Sequence, residues 1–168
     1  MADAEDLFTK YYDRVFRYMC RASGQTDMAR DWTQDVFLHV SRTTVPVAAD
    51  GQLAGWLFRI ARNIVLDKAR HQRRQPEEMR STAVIGRTAS QETVAAINEA
   101  LAALPDLDRD VFLMRELAGL GYDEIATACD LTPDAVRSRI HRARLELREN
   151  LSGPIATRRI GPMRQSKQ

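Results

Sequence analysis

Apolar residues recur every three or four positions along most of the chain, the period of helices buried on one face. From Ala4 to Arg21 the pattern falls on Phe8, Tyr11, Tyr12, Val15, Phe16 and Met19, and Gly24 ends it. Thr26 or Asp27 can cap a second helix running to about Arg42, with Met28, Trp32, Val36 and Val40 inward. Pro46 and Gly51 mark a loop from Thr43 to Gly51. Period returns from Leu53 to Arg74 on Leu53, Trp56, Leu57, Ile60, Ala61, Ile64 and Val65. It lapses between Gln75 and Gln91, a stretch with Pro76, Gly86, Ser and Thr that reads as a flexible linker. A fourth helix, Glu92 to Ala103, places Val94, Ile97, Leu101 and Leu104 inward and stops at Leu104-Pro105. A fifth starts at Asp106 or Asp108, carries Leu107, Val111, Phe112, Met114 and Leu117, and ends before Gly119 and Gly121.

The stretch from Gly121 to Arg148 predicts two helices around a tight turn at Cys129, Asp130 and Leu131. Ile125 and Ala126 point inward from the first. Thr132 suits an N-cap, and Pro133 suits the first turn of the second helix. Val136, Ile140, Ala143 and Leu147 form that helix's apolar stripe, and Arg137, Arg139, Arg142, Arg144 and Arg148 decorate the rest. A short helix, a turn and a capped basic helix make a helix-turn-helix, whose second helix enters the major groove of DNA. No strand pattern appears. The expected fold is all-α: two small helical domains joined by a flexible linker, the C-terminal one a helix-turn-helix. The domains are 1–75 with three helices and 92–150 with four. Between them lies the linker 76–91, and a basic, disordered tail fills 151–168.

Composition adds little until charge is placed along the chain. Hydrophobic residues at 44% suffice for a core, and the net charge is only +2. Residues 51–76, however, hold six basic residues against one acid, and 77–136 hold twelve acids against four basic residues. The recognition helix and tail are basic again. Two separated basic helices suggest two contacts with a polyanion. No apolar run is long enough for a membrane span and the N-terminus is acidic, so a cytoplasmic location is expected. Cys20 and Cys129 lack metal or redox spacing and read as small buried hydrophobes. His39, His71 and His141 are unclustered. No Gly-rich phosphate loop, HExxH or paired-carboxylate motif occurs, so no catalytic residue, metal or cofactor is expected.

Opposite the apolar stripe of the third helix stand Arg59, Arg62, Asn63, Arg70, Arg73 and Arg74. Guanidinium groups suit phosphate because their planar fork donates two hydrogen bonds at once. Trp56, at the border of the two faces, is either core or a platform for an unstacked base. On the second helix Asp31, Gln34, Asp35 and Phe37 share the outer face, and an exposed Phe37 beside acids favours a partner surface over mere solvation.

Several segments resemble one family. Residues 30–37, RDWTQDVF, are similar to the AEDLxQExF-type signature of bacterial extracytoplasmic-function (ECF) sigma factors. WLFRIARN at 56–63, with Asp67, Arg70, Arg73 and Arg74, resembles their WLxxIARNxxxDxxRxxxR segment. Leu104-Pro105, Arg109, Glu124-Ile125-Ala126 and VRSRIHRAR at 136–144 resemble their promoter-reading domain. The resemblance implies core RNA polymerase and promoter DNA as partners, and an anti-sigma factor. Asp31, Gln34, Asp35 and Phe37 would meet the coiled coil of the β′ clamp, and the β flap is the other polymerase element implied as a partner. Trp56, Arg59, Arg62, Asn63, Arg70, Arg73 and Arg74 would hold the −10 element, and the loop Thr43–Leu53 would help form a pocket for a flipped base. The recognition helix would read the −35 element. Ser138 and Arg142, opposite the apolar stripe, point most directly into the groove, with His141 and Asp134 nearby. Arg137 and Arg139 flank them and should reach phosphates. Two residues depart from the family pattern: Asp130 stands where glycine is usual in the turn, and Asp134 where a small residue is usual. Asp134 either caps the helix or accepts from a cytosine amine. The alternative without the resemblance is a stand-alone helix-turn-helix regulator that binds palindromic DNA.

Overall fold

The computed structural model describes residues 4–46, 50–74 and 89–152. The linker expected at 76–91 lies largely outside the described residues. So do the tail from 153 onward and the middle of the loop at Thr43–Leu53. Among the described residues there are seven helices and no strand: α1 (Ala4–Ser23), α2 (Thr26–Ser41), α3 (Asp50–Arg73), α4 (Ala89–Ala103), α5 (Asp106–Glu116), α6 (Tyr122–Cys129) and α7 (Pro133–Ser152). The breaks fall where backbone chemistry demands them. Gly24 and Gly119 take φ of +71° and +66° after α1 and α5, conformations a Cβ disfavours. The Thr132 hydroxyl accepts from the Ala135 N–H at 3.2 Å, capping α7 as its sequence suggests. Asp130 occupies the left-handed region at φ 54°, ψ 49°, as its place in the turn requires.

α1, α2 and α3 form one layer set, built on Leu7, Tyr11, Val15, Tyr18, Met19, Val36, Leu57 and Phe58. The buried stripe of α3 is Leu53, Ala54, Leu57, Phe58 and Ala61, whereas Ile60, Ile64 and Val65 are only half-buried. Phe58, absent from the expected stripe, is fully buried edge-on to Tyr18 with ring centroids 5.8 Å apart. α5, α6 and α7 share a second core around Val111, Met114, Leu120, Ile125, Val136 and Ile140, with α4 alongside. Val94, expected inward, is 48% exposed: Ala100, Leu101 and Leu104 at the end of α4 are buried in this core and Ile97 packs against it half-buried, whereas the start of the helix does not reach it.

The two helical units pack against each other, and the most extensive contact between any two elements is α3 on α6. Gly55 makes this possible. A Cβ at this position would stand 2.6 Å from Thr127 Cβ and 2.7 Å from the Glu124 carbonyl oxygen, so the two helices approach at backbone distance. Glycine inside a helix costs about 1 kcal/mol relative to alanine, and the close contact offsets it. Arg14 of α1 extends the seam by donating from Nε to the Ala118 carbonyl at 2.7 Å and from Nη2 to Gly119 at 3.3 Å.

Candidate nucleic-acid interface

Two basic surfaces were expected, one on α3 and one on α7. On α3 the arginines divide into two sets. Asn63, Arg70, Arg73 and Arg74 are exposed. Arg70 pairs along its own helix with Asp67 at 2.6 Å, and Arg73 stands 3.8 Å from Asp106, both solvated contacts of small worth. Arg59 and Arg62, by contrast, turn into the seam between the units. Arg59 donates to the Thr127 carbonyl and to Asp130 Oδ1, the latter at 2.5 Å. Arg62 Nε donates to Asp110 Oδ2 at 2.9 Å, with 20% and 8% of the two side chains exposed. Trp56 is half-buried beside them. The expected six-residue basic face is therefore not uniformly open. Its middle is neutralised by acids of α5 and of the turn after α6.

The Arg62–Asp110 pair sits in a dry region. Burial pushes the Asp110 carboxyl up, and the Arg62 charge and hydrogen bond oppose that shift. The Tyr18 phenol next to it is buried without a hydrogen-bond partner and is raised by burial first and by the Asp110 charge second. Cys129 packs its Sγ 3.9 Å from Met114 Sδ, and burial pushes its thiol up to about 11. A thiol so placed reacts slowly. Iodoacetamide at pH 8, followed by mass spectrometry, is expected to leave Cys129 unlabelled in the folded chain and to label it in urea. Neither cysteine forms a disulfide, and Cys20 is half-buried.

On α7, Arg137, Ser138, His141 and Arg142 are exposed together, away from the buried Val136, Ile140, Ala143 and Leu147. Arg137 is held to Asp134 at 2.9 Å and lies over the Tyr122 ring, 5.3 Å from its centroid. Arg139 departs from expectation. It is drawn back to α5, where its Nη1 donates to Asp108 Oδ1 at 2.5 Å, and it is not set out as a flanking phosphate contact. Asp108 is 3% exposed. The sequence pattern marks Asp108 only as a possible helix start and does not single out Asp110. Their separation from the arginines, by thirty-one and forty-eight positions, is invisible without the fold.

On α2, Asp31 and Gln34 are exposed, and Asp35 is half-buried and paired with Lys68 at 3.0 Å. Phe37 does not belong to that surface. It is 8% exposed, with Phe8 edge-on and Tyr12 stacked at centroid distances of 4.9 and 6.1 Å. The α1 aromatics cover it, so the exposed apolar residues at this end are Phe8, at 45%, and Leu38, at 48%. A 3.6-residue period places Phe37 one step from the core residue Val36, and only the width of the α1 layer decides which side it takes.

This order of elements matches two family models, Sigma-70 region 2 over residues 7–75 and Sigma-70, region 4 over residues 95–147, together most of the chain. The ECF RNA polymerase sigma factor SigE of Mycolicibacterium smegmatis is 31% identical over 170 residues. The chain belongs to the sigma-70 family, as an ECF-type sigma factor. The SigE match covers 90% of this sigma factor, which spans 63% of the length of SigE. RNA polymerase sigma factor YlaC of Bacillus subtilis is 27% identical over 174 residues, covering 93% of this chain and 96% of YlaC. The fold is shared with sigma factor RpoE in complex with the anti-sigma factor NepR from Bartonella quintana. That likeness has a TM-score of 0.69 at 21% identity, over 90% of this chain and 98% of that one. It is shared too with CnrH in complex with the cytosolic domain of CnrY, with a TM-score of 0.65 at 24% identity, over 89% and 87%. No helix among the described residues is long and apolar enough to cross a membrane.

Proposed function

We propose that this sigma factor carries core RNA polymerase to a bipartite promoter and starts transcription there, with no catalytic chemistry of its own. The observation that carries the reading is the ordered pair of regions 2 and 4, the second ending in a capped recognition helix with Arg137, Ser138, His141 and Arg142 outward. A stand-alone regulator has no use for a region 2 match over residues 7–75. The domain limits follow the same reading: 1–75 for polymerase binding and −10 opening, 92–150 for the −35 element, with a cytoplasmic site of action. Run-off transcription with purified core polymerase on a promoter library tests it. Core-dependent start sites are expected, and their absence on every template would reject the reading.

The N-terminal unit would offset the cost of strand opening, about 1–2 kcal/mol per base step, by gripping the −10 region with Asn63, Arg70, Arg73 and Arg74. Arg59, Arg62 and Trp56 could join only after α3 parts from α6, since these two arginines are bound to Asp110, Asp130 and Thr127 in the packed form. Asp31, Gln34 and Asp35 would face the polymerase β′ coiled coil, with Phe8 and Leu38 in the apolar part first assigned to Phe37. The charge reversal Asp35→Lys is expected to weaken core binding about tenfold by removing an attraction and adding a repulsion. Fluorescence anisotropy of labelled chain against core polymerase reads it, and an unchanged Kd removes Asp35 from the interface. On the −35 element, Arg142→Ala is expected to cost about 1–3 kcal/mol and to relax one base position, whereas equal loss on all sequences would make Arg142 a phosphate contact. RpoE of Bartonella quintana, one of the structural relatives named above, was solved with an anti-sigma factor, and an anti-sigma partner is the expected regulator here.

A further inference from the structure

The recognition helix is gripped by acids of the helix beneath it. Arg144 pairs with Glu116 at 2.5 Å near the end of α5, where both side chains are solvated. At the other end of α5 the contact is of a different kind. Asp108 stands in the first turn, where the helix N-terminus favours a carboxylate, and only 5% of its side chain is exposed. Its Oδ1 accepts from Arg139 Nη1 at 2.5 Å, and Arg142 Nη2 stands 3.5 Å from the same carboxylate. Arg139 and Arg142 are three residues apart on α7, so one buried anion holds two adjacent rungs of the same helix. Their exposures differ: 28% for Arg139 and 56% for Arg142. The first guanidinium is withdrawn into the protein, and the second is tethered on one side while its outer face stays in solvent.

We propose that Asp108 is a positioning residue for −35 recognition, an inference that rests on the promoter reading above. It does two things to the helix. It restricts Arg142 to the orientations compatible with the tether, which lowers the entropy lost when that side chain forks onto a base edge. It also takes Arg139 out of the set of cations available to phosphate, so less of the binding is sequence-independent. A buried acid behind the recognition helix thereby raises the ratio of specific to non-specific binding, although it subtracts positive charge from a DNA-binding surface.

Holoenzyme reconstituted from core polymerase and Asp108→Asn chain tests both effects, since asparagine keeps the shape and removes the charge. Two quantities are read: initiation across templates with a randomised −35 element, and the salt dependence of binding to a labelled promoter duplex. The variant is expected to lose about tenfold in preference at one −35 position. Its salt slope is expected to steepen by about one phosphate contact as Arg139 is released. A brace with no part in readout would lower initiation equally on all templates and leave both base profile and slope unchanged, and that result overturns the proposal. Arg139→Gln keeps the test open if Asp108→Asn fails to fold, because Asp108 retains Arg142. That variant should keep the wild-type salt slope. A slope shallower by about one contact would mean that Arg139 already touches DNA, and the proposal would fall. No initiation by the wild-type chain on any template overturns the promoter reading and this inference with it. Initiation with an unchanged Asp108→Asn profile overturns this inference alone.

Discussion

Arg62→Ala is expected to destabilise the packed chain by about 3–5 kcal/mol, the usual result of leaving one half of a buried ion pair behind. Asp110 keeps 8% of its side chain exposed and has Arg62 as its close partner across the seam, at 2.9 Å. Burial already raises its carboxyl while Arg62 holds it down, so removing the guanidinium lets the burial effect act with less opposition. The sign of the pH dependence follows. Above the raised pKa the variant must either bury a bare carboxylate or take up a proton, and the deficit relative to wild type is full. As pH falls through that pKa the carboxyl is neutral in both chains, the ion pair no longer distinguishes them, and the deficit shrinks. Urea melts at pH 7.5 and pH 4.5 measure it. A deficit that is small at pH 7.5, or that grows on acidification, would mean that the pair is solvated in solution. Arg62→Met with Asp110→Leu should recover much of the loss, since an apolar replacement removes the stranded charge.

Much of this fold was legible in the chain, and the reason is local. Helix ends are set by residues that act within a turn or two, so Gly24, Leu104-Pro105, Thr132 and Pro133 announced the boundaries observed. The pattern placed Asp130 in a tight turn between two helices, and the glycine usual there in the resembling family pointed to the left-handed conformation that it takes. Which side of a helix meets which neighbour is not local. Phe37 and Phe58 each sit one step from the centre of a predicted stripe, and each is buried because an aromatic of α1, Phe8 or Tyr18, covers it. Arg70, Arg73 and Arg74 of α3 and Arg137 and Arg142 of α7 are outward as the pattern predicts, but Arg59, Arg62 and Arg139 are drawn inward by acids of α5 and of the turn after α6. Asp108 reads as a helix start and Asp110 carries no signal at all, because no one-dimensional pattern ties an acid in α5 to arginines in α3 and α7. One signal was available. Gly55 interrupts an otherwise unbroken helical pattern, and such a glycine commonly marks close packing by another backbone.

That glycine makes the packed arrangement open to a direct test. Thr127→Trp is expected to force α3 and α6 apart, because the space over Gly55 is already filled by the Thr127 side chain at contact distance. Overfilling a tight contact costs about 1–3 kcal/mol where a side chain can shift, and an indole against backbone has little room to shift. Thr127 lies on α6, outside the residues proposed for either promoter element, and its own helix keeps its core through Ile125, Ala128 and Cys129. The free variant should therefore retain its helical circular dichroism while its radius of gyration in small-angle X-ray scattering increases. Releasing α6 from α3 also frees Arg59 and Arg62, the groups a −10 strand would need. Holoenzyme made with the variant is thus expected to initiate at least as well as wild type, and the free variant to bind single-stranded −10 DNA more tightly, by about tenfold if two phosphate contacts are gained. An expanded chain with lost transcription would mean instead that the α3–α6 seam persists in the initiating complex. In that case Arg59 and Arg62 hold the two units together, and the −10 element is read by Asn63, Arg70, Arg73 and Arg74 alone.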